Sequence, residues 1–107
     1  MSDALLYEKI ISENADKGSQ LRLVVNTFRE VEYVHLRKYF LSYEGEWMPT
    51  KDGASFPATI QSIYSLLDGL IEICAAEESI DAVNSHFQER LKNINEQNLR
   101  ILNPSEP

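Results

Sequence analysis

Between Tyr33 and Phe56 the chain mixes rings with cations: Tyr33, His35, Arg37, Lys38, Tyr39 and Phe40 are followed by Trp47, Lys51 and Phe56. A flat ring gives an unpaired base something to stack on, and a nearby cation pairs with phosphate, so this combination suits a single-stranded nucleic acid. Other chemistries find less support. His35 has no second His or Cys at ligand spacing, and Cys74 is the only cysteine, so neither a metal nor a cofactor is expected. Glu44 with Glu46 and Glu77 with Glu78 read as turn and helix-end solvation rather than as a general acid and base. With no Gly-rich phosphate loop and no nucleophile motif, the chain is not expected to be an enzyme.

Alternation decides which of these side chains share a surface, because successive residues of a strand point to opposite faces. Leu21 to Arg29 and Glu32 to Leu41 read as two strands joined by a tight reversal near Arg29 to Val31. One face then carries Leu21, Leu23, Val25, Val34 and Leu36 and is the candidate core. The other carries Arg22, Val24, Asn26, Phe28, Tyr33, His35, Arg37 and Tyr39, the candidate binding face. The same residues are also ordinary strand formers on an exposed antiparallel face, so pattern alone leaves both readings open.

The remaining elements follow from turn residues and a change of period. Residues 4–12 are apolar and suit either a helix or a strand, and Glu13 to Gln20 read as a loop. Tyr43 to Glu46 mark a hairpin, while Pro49 and Gly53 bracket a further loop before Ala54-Ser55-Phe56. From Pro57, placed in the first turn of a helix, the period becomes about 3.6. Ile60, Ile63, Tyr64, Leu67, Leu70, Ile71 and Cys74 fall on one helical face, widened by Leu66 and Ile73. A second helix is expected to open at Ser79 or Asp81 and to run toward Leu102, with a frayed tail from Asn103 to Pro107.

A chain of 107 residues suffices for one modest core. Its net charge of -7 at first argues against phosphate binding, but the distribution removes the objection. Six of the ten bases and six of the seventeen acids lie from Asp16 to Phe56, which leaves eleven acids and four bases outside. Apolar runs are too short to span a bilayer, and a soluble, intracellular protein is expected.

Order and spacing add a resemblance. Val34-His35-Leu36-Arg37-Lys38-Tyr39-Phe40, Glu44-Gly45-Glu46, Met48-Pro49-Thr50-Lys51-Asp52-Gly53 and Ala54-Ser55-Phe56 follow one another as do the motifs of the positive cofactor 4 family. That family has a hydrophobic-Asp-hydrophobic-Arg-Glu-Tyr-Trp run, a Gly-containing turn, a Lys-Pro-Gly-Arg-Lys-Gly loop, an Ile-Ser-Leu strand and a long helix. The likeness covers roughly Leu21 to Ala76. It implies an α+β fold: a curved antiparallel four-stranded sheet followed by a long helix, ββββα, here with an extra C-terminal helix. The expected partition is 1–78 as the DNA-binding core and 79–107 as a helical extension of the same domain.

By the same resemblance the chain is expected to bind single-stranded DNA without base specificity, as a homodimer, in transcription, replication or recombination. Phe28 and Phe40 look like the family's stacking rings, Arg37 like its strand arginine, and Arg29 and Lys51 like phosphate contacts. With Arg22, Asn26, Tyr33, Tyr39 and Trp47 they make up the expected DNA-binding set. Trp47 stands where the family has methionine, and equally suits a cap on the core edge. Phe40 replaces the usual tryptophan, and Val31, Met48 and Asp52 stand where bases are common, so a weaker electrostatic attachment is implied. The helix residues Ile60, Ile63, Tyr64, Leu67, Leu70, Ile71 and Cys74 would form the two-fold contact. Strict alternation, however, groups Phe40 with Val34 and Leu36, so the likeness requires a bulge or twist near Tyr39. The compact chain with an acidic helical addition looks more like a bacteriophage or bacterial member, in the bacterial cytoplasm, than a nuclear coactivator. The rival expectation is an acidic protein-interaction module or DNA mimic, supported by the net charge.

Overall fold

The structure, a computed structural model, describes residues 4–94. Among the described residues four strands precede two helices: β1 (Ala4–Asn14), β2 (Ser19–Phe28), β3 (Val31–Leu41), β4 (Trp47–Pro57), α1 (Ile60–Glu77) and α2 (Ile80–Lys92). All four strands form one antiparallel sheet in the order β1-β2-β3-β4, an α+β architecture with a second helix after the first. The chain divides into two compact units, Met1–Ala58 and Thr59–Pro107.

Residues 4–12, which suit helix and strand alike by pattern, pair with β2 as an edge strand. Leu6 and Ile11 are extra residues at two breaks in that pairing, between Leu5 and Tyr7 and between Ile10 and Ser12, and such bulges mask the period of 2 in the sequence. The expected loop from Glu13 to Gln20 shrinks to a tight turn at Ala15–Gly18. There the Gly18 amide bonds to the Ala15 carbonyl at 3.2 Å, and Gly18 adopts φ +61°. The reversal between β2 and β3 is as tight as expected: Phe28 faces Val31, and Arg29 and Glu30 turn the chain with φ 53° and 69°. Left-handed φ at both residues matches the right-handed twist of the flanking strands, although neither is glycine.

The second expected loop, from Pro49 to Gly53, is instead part of β4. Pro49 faces Tyr39 and Gly53 faces Arg37, so Thr50, Lys51 and Asp52 bulge opposite the single residue Lys38. The bulge stays anchored to the strand because the Thr50 hydroxyl donates to the Lys38 carbonyl at 2.8 Å and accepts from the Asp52 amide at 3.1 Å. Gly53 is required there. A Cβ on it would lie 2.4 Å from the Leu36 carbonyl oxygen and 2.9 Å from the Arg37 Cα, at φ +154°.

Burial concentrates on the two central strands, where Val24, Val25 and Val34 form the core of the sheet. Val25 faces Val34 across the β2–β3 ladder on one side, and Val24 lies on the other. Fully burying a valine side chain contributes about 1.5–3 kcal/mol.

In the second unit α1 starts one turn later than expected. Pro57 ends β4, and Thr59 caps the helix by accepting from the Ser62 amide at 3.2 Å. Ser79 caps α2 through the Ala82 amide at 3.0 Å, with Asp81 in the first turn and Arg90 and Lys92 in the last, all favourable for the helix dipole. The helix closes at Lys92, where the Asn93 amide turns back to the Arg90 and Leu91 carbonyls, well short of Leu102. Leu102 and the tail from Asn103 to Pro107 lie outside the described residues. Neither helix buries a residue fully. Among the described residues no helix is long and apolar enough to cross a membrane.

Candidate nucleic-acid interface

The uninterrupted β2–β3 ladder, from Phe28 opposite Val31 to Ser19 opposite Phe40, fixes both faces of the sheet. Arg22 faces Arg37, Val24 faces His35, Asn26 faces Tyr33 and Gln20 faces Tyr39, so these eight side chains share one surface. Glu8 and Glu13 join it from β1, and Pro49, Gly53 and Ser55 from β4. An open groove of about 440 Å³ runs over this surface, lined by residues that include Asn26, His35, Arg37, Tyr39 and Lys51.

Arg37 is held in the groove from three directions. It donates to the Thr50 carbonyl at 2.9 Å, to His35 Nδ1 at 3.1 Å and to the Ser55 hydroxyl at 3.4 Å. The bulge of β4 thus supplies a carbonyl for the arginine as well as Lys51 for the groove. A guanidinium has no proton it can lose and no lone pair to offer, so His35 Nδ1 must be the acceptor. The proton of the neutral ring then sits on Nε2, which donates to Asn26 Oδ1 at 2.8 Å, while the Ser55 hydroxyl lies 2.6 Å from Nδ1. Burial, and after it the positive Arg37 beside the ring, hold His35 below its usual value, which favours this neutral form.

Arg22 and Tyr39 form the second half of the surface. The Arg22 guanidinium lies 4.3 Å over the Tyr39 ring, pairs with Glu8 through Nη1, and donates from Nε to Gln20 Oε1 at 2.8 Å. Gln20 is buried and spends its own amide on Glu13 at 2.8 Å. At the end of β2, Phe28 is exposed on the Arg37 side, with the Arg29 guanidinium 5.0 Å over its ring.

The expected set is therefore mostly, but not wholly, on one surface. Arg22, Asn26, Tyr33, Arg37 and Tyr39 share the face, Phe28 and Arg29 flank it at the turn, and Lys51 lies on the bulge. Trp47, opposite Leu41, is on the same side by register and half-buried at the far end. Phe40 lies apart from the others. The bulge near Tyr39 exists, but the extra residues are in β4 and the β2–β3 ladder is unbroken, so Phe40 stays with Leu36, opposite Met48, on the other face. Sequence reasoning also missed the supporting residues Glu8, Gln20 and Ser55. Ser55 could have been paired with His35 from the hairpin. Glu8 has no assignable face while β1 is ambiguous between helix and strand.

On α1, Ile60, Tyr64, Leu67 and Leu70 are exposed, as is Cys74, and Ile63 and Ile71 are half-buried. These are the residues expected to form a two-fold contact.

Residues 15–59 match the model of the family described as Transcriptional Coactivator p15 (PC4). That span holds β2, β3, β4 and every residue that lines the groove. Among solved structures the chain is similar to the bacteriophage T5 homolog of the eukaryotic transcription coactivator PC4, a protein implicated in recombination-dependent DNA replication. The TM-score is 0.65 and the identity 32%, over 88% of this chain and 100% of that one. No curated protein matches the sequence significantly.

Proposed function

Because the chain belongs to the PC4 transcriptional coactivator family, in which it stands beside a phage member, we propose that it binds single-stranded DNA without base specificity, as a homodimer. Transcription, replication or recombination is the setting, and replication linked to recombination is favoured by the T5 relative. The observation that carries this reading is the single surface shared by Arg22, Asn26, Tyr33, His35, Arg37 and Tyr39, with an open groove lined in part by Asn26, His35, Arg37 and Tyr39. Stacking of bases on Tyr39, Tyr33 and Phe28 supplies most of the affinity, at about 1–3 kcal/mol per stacked base. Arg37, Arg29 and Lys51 attract phosphate. No base edge needs to be read for such binding, and no group on the surface is asked to do covalent chemistry.

Preorganisation favours the same role. Arg37 already has its three acceptors, so ordering it costs little when a strand arrives. Dimerisation is supported by α1, whose apolar residues Ile60, Tyr64 and Ile73 are 58–61% exposed within one chain. In this reading residues 1–78 form the DNA-binding core and 79–107 a helical extension.

Sedimentation equilibrium tests the dimer: a mass twice the 12.3 kDa of the chain is expected, and Leu67→Glu should shift it toward one chain. A wild-type protein that stays at one chain mass across micromolar concentrations would overturn the dimer while leaving the binding surface in place.

A further inference from the structure

Arg22 lies in the middle of the candidate interface, yet its surroundings do not leave it available to phosphate. Its side chain is 14% exposed, one guanidinium nitrogen is bound by the Glu8 carboxylate, Nε is bound by Gln20, and its Cζ lies over the Tyr39 ring, 4.3 Å from the centroid. Gln20 fixes this arrangement from below. It is 4% exposed and has both ends of its amide engaged, the nitrogen with Glu13 at 2.8 Å and the oxygen with Arg22 at 2.8 Å. A buried amide with both ends satisfied cannot flip without leaving two polar groups unpaired. Glu8 and Glu13 both come from β1, so one edge strand supplies the acid at each end of the chain Glu13–Gln20–Arg22–Glu8.

We propose that Arg22 is a positioning residue that backs the Tyr39 ring, and that Glu8 cancels its charge, so that β1 limits how strongly this face attracts the phosphates of a single strand. With one side covered by a guanidinium, Tyr39 offers its other side to a base, already oriented. Arg22 then contributes to stacking without displacing a counterion from the DNA. Glu8 holds the ring in place and at the same time removes one positive charge from the surface. Binding that relies on stacking rather than on charge loses less of its strength at high salt.

The inference rests on the single-stranded DNA reading, and the salt dependence of binding separates the two. The probe is a fluorescein-labelled oligothymidine, titrated by anisotropy over a series of sodium chloride concentrations. Arg22→Gln is expected to weaken binding about fivefold or more, through loss of the ring's backing and exposure of the Glu8 charge, and the unpaired carboxylate makes the slope of log K against log salt shallower. Glu8→Gln keeps an acceptor for Arg22 but removes the charge. It is expected to tighten binding about two- to fivefold at low salt and to steepen the slope by about 0.7, the contribution of one further phosphate contact. Glu8→Thr, a better strand former, should give the same change of slope should the amide disturb the edge. The Glu8→Gln, Arg22→Gln pair should return the slope to the wild-type value. A slope of the Glu8→Gln, Arg22→Gln pair shallower than the wild type by about 0.7 would make Arg22 a phosphate contact and overturn the proposal. So would unchanged slopes in both Glu8 variants. Absence of salt-sensitive binding by the wild type would overturn the DNA reading and this inference together, whereas wild-type binding with unmoved Glu8 slopes overturns the inference alone.

Discussion

On one face of the sheet His35, Arg37, Tyr39 and Arg22 are polar and yet half-buried against one another, whereas on the other Leu36, Phe40 and Met48 are apolar and 40–48% exposed. Ordinary antiparallel sheets with one solvated face show the reverse. The polar face reaches its burial through hydrogen bonds and a stacked cation rather than through apolar contact, which fixes its side chains before any ligand is present. Val25 and Val34 are buried, and burial is lost along β3 toward Leu36 and Phe40. A polar surface that is already ordered is suited to receive a strand, and an apolar surface that is partly open is suited to be covered by protein.

The largest expected effect removes the hinge shared by both faces. Gly53→Val places a side chain where a Cβ would lie 2.4 Å from the Leu36 carbonyl oxygen, at a φ that favours glycine. It should destabilise the fold by about 3 kcal/mol or more, seen as a lower midpoint in urea denaturation. A midpoint near that of the wild type would mean that the bulge of β4 can move aside, and that Arg37 does not depend on it.

Next in size is the loss of rings from the polar face alone. A Phe28→Ala, Tyr39→Ala pair should weaken oligothymidine binding by about 2–4 kcal/mol, while circular dichroism shows the strands retained. By comparison, Phe40→Ala on the apolar face should cost binding less than about threefold, a fraction of one stacked base. A loss equal to that of Tyr39→Ala would bring Phe40 back to the proposed binding surface and blur the distinction between the faces.

A smaller effect depends on pH. The neutral form of His35 is favoured in the folded protein, so its folded value lies below the ordinary 6.5. The unfolded chain therefore binds the proton more readily, and stability is complete above pH 6.5 and falls as the pH drops from there toward the folded value. His35→Gln, which still offers an oxygen to Arg37, should lack this component. Urea midpoints of the two proteins should therefore converge at acidic pH, relative to their difference at neutral pH. Parallel curves would mean that the ring is not confined to its neutral form.

Much of this architecture is legible in the amino-acid pattern. Strict alternation in β2 and β3 is enough to sort Arg22, Asn26, Arg37 and Tyr39 from Leu23, Val25, Val34 and Leu36, because the β2–β3 ladder has no bulge to reset the period. The order of motifs from Val34 to Phe56 points to the family whose model matches residues 15–59. Where bulges occur, the period is lost. Leu6 and Ile11 hide β1, and with it Glu8, while Thr50 to Asp52 make a strand look like a loop. Phe40 shows the opposite case: family likeness groups it with the candidate binding face, but pairing with Ser19 and Met48 places it on the other.

The central claim is tested most directly by comparing an unlabelled duplex with a labelled oligothymidine of the same length, in competition, across a salt series. The single strand should bind at micromolar protein or below, more tightly than the duplex, with affinity falling by a log-log slope of about -0.7 per phosphate contacted. No salt-sensitive binding of the single strand at micromolar protein, or an equal preference for the duplex, would contradict it.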